Sequence, residues 1–132
     1  MKRAAALVVA LLALLGWLLR PGGSGATTLR AGTEHETVTV VIDRPRVGES
    51  GLTITLTTHD GSTVTGAFIQ VQAAMPVMGY ATPAVAATAA CSGRYTVAAV
   101  HLMTTGPWEL HLRLTTRDET STALVLPFQV TG

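Results

Sequence analysis

The chain has 132 residues, of which 48% are hydrophobic and 5% aromatic, with nine Lys/Arg against eight Asp/Glu for a net charge of +1. That length accommodates one domain and a leader; the balanced charge leaves no basic face for nucleic acid, and the few aromatics leave no base-stacking platform. Cys91 is the only cysteine, so no internal disulfide forms and the fold rests on its core alone.

The first element is a leader. Lys2 and Arg3 precede an apolar run from Ala4 to Leu19, and Ser24 and Ala26 form a small-x-small pair suited to cleavage after Ala26. Sixteen residues give about 24 Å of helix, against the ~20 residues that a spanning helix usually needs. Two readings of residues 1–26 therefore stand: a cleaved signal peptide, or an uncleaved N-terminal membrane anchor. No cysteine follows the run, which argues against a lipoprotein. Either reading places the rest of the chain outside the cytoplasm, in the periplasm or at the cell surface. Without residues 1–26 the chain carries six arginines and eight carboxylates, a net charge of about −2. Residues 27–35 are expected to be a linker and residues 36–132 the folded domain.

From residue 36 the apolar period is two. Val38, Val40 and Ile42 share one face, as do Leu52, Ile54 and Leu56 in a strand whose other face is threonine. Asp60-Gly61 supplies a turn with positive φ. Ala67, Ile69 and Val71 come next, with Gln70 and Gln72 opposite. A weaker strand is expected around residues 81–88. Tyr95, Val97 and Ala99 form one face of the following strand. Trp108, Leu110, Leu112 and Leu114 alternate with Glu109, His111 and Arg113, and the last strand turns Leu124, Leu126, Phe128 and Val130 inward, with Pro127 fitting an edge strand or a bulge. No helical period occurs after the leader. About seven short strands in roughly a hundred residues predict an all-β, immunoglobulin-like antiparallel sandwich, preceded by an N-terminal signal or anchor helix. Gly93 and Tyr95 are placed like the tyrosine corner of such sandwiches, whereas the Cys…Trp…Cys spacing of antibody domains is absent.

The chemistry-bearing residues are sparse. No nucleophile elbow, phosphate loop or helical zinc motif is present, which makes a non-enzymatic role the expectation. His35 and His59 fall at strand ends, and His111 on a solvent face. Cys91 is expected to be a small buried hydrophobe rather than a reactive thiol, since no helix N-terminus or cationic pair is apparent beside it. The methionines are more distinctive. Apart from the initiator they occupy two places, Met75 and Met78 in "MPVMGY" and Met103 in "HLMTTGPW". His101 lies two residues before Met103, on the same side if the strand is regular. Three thioethers and an imidazole suit Cu(I), because soft sulfur selects it and has no proton to lose. The competing reading makes the methionines flexible fillers at the rim of the core.

The order of these motifs resembles the YtkA-like/FixH-like family of small exported bacterial domains. The resemblance is carried by Gly61, Val64, Ala67 and Ile69, then Met75, Pro76, Met78 and Gly79, then Gly93 and Tyr95, then Met103, Gly106 and Trp108, over about residues 36–130. It implies an immunoglobulin-like sandwich outside the cytoplasm, often tethered by one N-terminal helix, associated with copper handling and cytochrome oxidase maturation. Many relatives have His or Met after the "MP-x-M-G" glycine, where this chain has Tyr80. The residues and the resemblance together lead to two expectations. One is a copper(I)-handling accessory protein with Met75, Met78, Met103 and His101 as ligands. The other is a structural or interaction module that docks on a membrane protein partner without metal.

Overall fold

The computed structural model describes residues 25–132. The expected signal or anchor helix lies outside them. Ten strands make two antiparallel sheets: β1 (Thr27–Gly32), β2 (Glu36–Ile42), β3 (Gly48–Thr58), β4 (Phe68–Met75), β5 (Tyr80–Ala81), β6 (Val85–Ala86), β7 (Thr88–Cys91), β8 (Arg94–Leu102), β9 (Gly106–Thr115) and β10 (Ser121–Val130). One sheet runs β1-β2-β3-β8-β7. The other runs β10-β9-β4-β5, with β6 also paired to β4. A single 3-10 turn, Pro76–Met78, is the only helical element among the described residues, and none of their helices is long and apolar enough to cross a membrane.

The core is what the alternation predicts. Val38, Val40, Ile42, Leu52, Ile54 and Leu56 from one sheet meet Ile69, Val71, Leu110, Leu112 and Leu114 from the other, all essentially excluded from solvent. Trp108 is the largest of the buried side chains and is 1% exposed. Burying a side chain of this kind stabilises by about 1.5–3 kcal/mol, so these facing rows supply the main favourable contribution to folding.

Four features depart from the expected pattern. There are ten strands rather than about seven. β1 lies within the segment expected to be a linker, pairing Leu29 with Val40 and Ala31 with Val38. Its pattern was faint because only those two positions are apolar and face inward. The expected strand around 81–88 is split into β5 and β6, each two residues long, which both pair along the edge of β4 away from β9.

The fourth departure lies in β8. Ser50 pairs with Val100 and Leu52 with Val97, so Gly51 alone faces Ala98 and Ala99. This bulge adds one residue to β8 and shifts its alternation. Val100 and Leu102 are therefore buried, while Ala99 and His101 are exposed. Ala99, expected on the inner face with Tyr95 and Val97, is on the outer one.

Tyr95 is 2% exposed, and its hydroxyl donates to Val64 O (3.0 Å) and accepts from Ala67 N–H (3.1 Å). In the usual tyrosine corner the partner is a few residues upstream. Here it is the β3–β4 crossover, about thirty residues earlier, so the phenol fastens the segment that carries the chain between sheets. Pro127 stands on β10, an edge strand, as its missing donor requires.

Candidate functional site

The strand directions place several loops at one end of the sandwich: the β2–β3 loop, the Pro76–Met78 turn, the β8–β9 turn and the C-terminal residues. Direct contacts link them. Val47 N–H donates to Thr131 O at 3.0 Å. A Cβ on Gly132 would lie 3.6 Å from Thr105 Cγ2, and one on Gly106 would lie 2.8 Å from Met75 Cε.

"MPVMGY" forms because its residues match the demands of a tight reversal. β4 delivers Met75 inward, at 4% exposure. Pro76, with φ preset, begins the 3-10 turn, and Gly79 ends it at φ 63°, donating its N–H to Pro76 O at 3.1 Å. The reversal holds Val77 and Met78 in solvent, 80% and 64% exposed. The returning strand sets Tyr80 opposite Met75 and its ring edge-on to Trp108, with centroids 5.8 Å apart and planes at 84°. Thr82 then locks the return: its hydroxyl accepts from Ala73 N–H (3.0 Å) and its carbonyl accepts from Gln72 Nε2 (2.9 Å).

The β8–β9 turn is held by the same tryptophan. Trp108 Nε1 donates to Thr104 O at 2.9 Å, and Met103 stands 47% exposed just before. The two loops are interlocked, with Met75 against Gly106 and Tyr80 against Trp108. The rim is a framed surface rather than a pair of free loops.

The four residues expected to ligate divide accordingly. Met78 and Met103 are exposed on loops of the same end. Met75 is in the core behind them. His101 is exposed on the outer face of its sheet, paired in register with Glu49, because of the β8 bulge. Among the described residues no group of three or more His, Cys, Asp or Glu side chains could hold a metal ion. Sequence reasoning missed the other exposed residues of the rim, Arg44, Arg46 and Val47. The segment "RPRV" was the available signal, a proline loop tip that carries charge and one apolar residue.

Other candidates lie elsewhere. An open trough of about 320 Å³ on the outer face of β4, β9 and β10 is lined by Gln70, Gln72, His111, Arg113 and Val125. His111, on the solvent face as expected, meets Glu109 at 3.3 Å, both half-exposed. Cys91 is exposed at the end of the edge strand β7, all four of whose residues are exposed, against the expectation of burial. At the end opposite the rim, His59 Nε2 lies 3.1 Å from Thr33 O and 3.2 Å from Glu34 O, tying the β1–β2 turn. The Thr58 hydroxyl and then the Ser62 N–H hold the Asp60 carboxyl below its ordinary value; Thr116 and Thr120 do the same for Asp118.

A family model described as YtkA-like matches residues 30–113. Neither the curated proteins nor the solved structures yield a match.

Proposed function

The chain belongs to the YtkA-like family, and from that premise we propose that it is a non-enzymatic, exported accessory protein that handles copper(I) at its methionine rim. The observation that carries this reading is the exposure of Met78 and Met103 on two interlocked loops at one end of a sandwich whose core is already filled. An apolar side chain in that position gains nothing from burial, so filling the core does not account for these two. Thioether sulfur is soft, neutral at every pH, and favours Cu(I) over harder cations. Copper is cargo in this proposal and not a resident cofactor. Met78 and Met103 are the accessible donors, Met75 backs them from the core, and His101 supplies an imidazole on the adjoining face. Tyr80 stands where many relatives are expected to have a donor, and its ring serves instead to seat the loop on Trp108.

Anaerobic Cu(I) titration of the protein against a competing chelator tests this. Met78→Leu/Met103→Leu should weaken binding by at least about tenfold, the lower range seen when metal-site partners are lost. The unfolding midpoint should stay where it was, since both side chains are exposed. Equal affinity in the two proteins would sink the copper reading.

A further inference from the structure

The rim also carries features that metal binding does not use. Of seven large apolar side chains exposed among the described residues, four belong to this end: Val47, Val77, Met78 and Met103. The ladder ends on the pair Gly48–Leu102, so Val47 and Met103 are the first residues beyond it on the two strands. Arg44 and Arg46 flank Val47. Both are exposed, and neither meets a carboxylate among the described residues. The neighbouring Asp43 turns back over Gly51, where its carboxylate lies 2.7 Å from the place a Cβ would take.

The chain also enters the domain at this end. Gly25 sits beside Arg44, with the side chain's Cγ 4.0 Å from the ideal Cβ position. Only residues 20–24 separate Gly25 from the apolar run that ends at Leu19. Five residues span at most ~18 Å when fully extended. The sandwich itself is longer, since a ten-residue strand such as β9 covers about 33 Å. A domain tethered so briefly, and at this end, holds the rim close to the membrane and the Asp60 and Asp118 loops far from it.

We propose that, in the anchored chain, the sandwich stands on the bilayer by this rim. Val47, Val77, Met78 and Met103 enter the lipid interface, and Arg44 and Arg46 meet the phosphates of anionic lipid. The four side chains project as tips of separate loops, and a lipid interface accepts such tips without a shaped counterpart. The two arginines add attraction to a negative surface. The inference is independent of whether the methionines bind copper.

The full chain in a Cys91→Ser background, reconstituted into phosphatidylcholine–phosphatidylglycerol vesicles, provides the test. An environment-sensitive dye is placed at Val77→Cys on the rim or at Glu34→Cys at the opposite end, and quenching by brominated lipid is read at each. Quenching at position 77 and none at 34 is expected, and Arg44→Gln/Arg46→Gln should reduce it. Equal quenching at the two positions, or none at either, overturns the proposal. So does a rim dye that is shielded in native membranes but not in pure lipid vesicles, a result that assigns the rim to a protein partner.

Discussion

At the scale of single residues, two positions do work that their sequence neighbours do not reveal. Tyr95 satisfies both Val64 O and Ala67 N–H. Tyr95→Phe leaves those backbone groups unpaired in a half-buried crossover and should cost roughly 1–3 kcal/mol, measured by urea unfolding. Gly106 has φ 124°, a conformation that side chains rarely adopt, and a Cβ there would meet Met75 Cε. Gly106→Ala should cost about 1–3 kcal/mol of backbone strain plus the overlap. In a Met75→Leu background, which removes the Cε methyl, the overlap should disappear and the strain remain. A double-mutant cycle reads that difference as a coupling energy. Additive costs would mean that the two loops do not touch at this point. Gly106 and Met75 were both visible as motif residues, yet their contact joins positions thirty-one apart in the chain.

Among the elements, loops and strands were legible to different degrees. The inward faces of β2, β3, β9 and β10 follow directly from period-two alternation. In β8 the alternation breaks, because the extra residue opposite Gly51 reverses which side chains face the core. That reversal exposes His101, which regular alternation from Tyr95 would bury. Two surface loops repeat one device, Thr58-x-Asp60-x-Ser62 and Thr116-x-Asp118-x-Thr120, in which the aspartate accepts from a hydroxyl and a backbone N–H. Hydrogen bonding favours the charged form, so both carboxyls titrate below the ordinary 3.8. The stabilisation from a depressed carboxylate is complete above the unfolded value and is lost as pH falls through the folded one. It should therefore persist at neutral pH and fade only below about 3.8. NMR titration should find both carboxyls below that value, and Thr58→Val and Thr116→Val should each raise their own aspartate. An aspartate unmoved by loss of its threonine would show that the hydroxyl is not the main cause.

On the scale of the whole molecule, the sandwich has two dissimilar ends. One gathers the threonine–aspartate turns. The other gathers exposed methionine and valine, two arginines that meet no carboxylate among the described residues, residues 131–132 and Gly25, where the described chain enters the domain. That polarity ties the two functional proposals to one place. The copper titration and the vesicle experiment address different properties of the same rim, so either can fail without deciding the other. In the anchored chain that the membrane proposal concerns, the five residues between Leu19 and Gly25 would give this polarity a direction, because they are shorter than the sandwich is tall.

Taken alone, the amino-acid sequence determined the class of fold, most of the core faces and the family, because each rests on local alternation or on short motifs in a fixed order. It also singled out Met75, Met78 and Met103. Only the tertiary structure decided that Met75 is buried while Met78 and Met103 are exposed, that Tyr80 braces Trp108, and that Val47 and the arginines share their end. Those outcomes depend on a bulge that changes parity and on contacts between strands far apart in the chain. Local periodicity carries no information about either, since it records which side a residue faces along one strand and not which loops meet when two sheets pack.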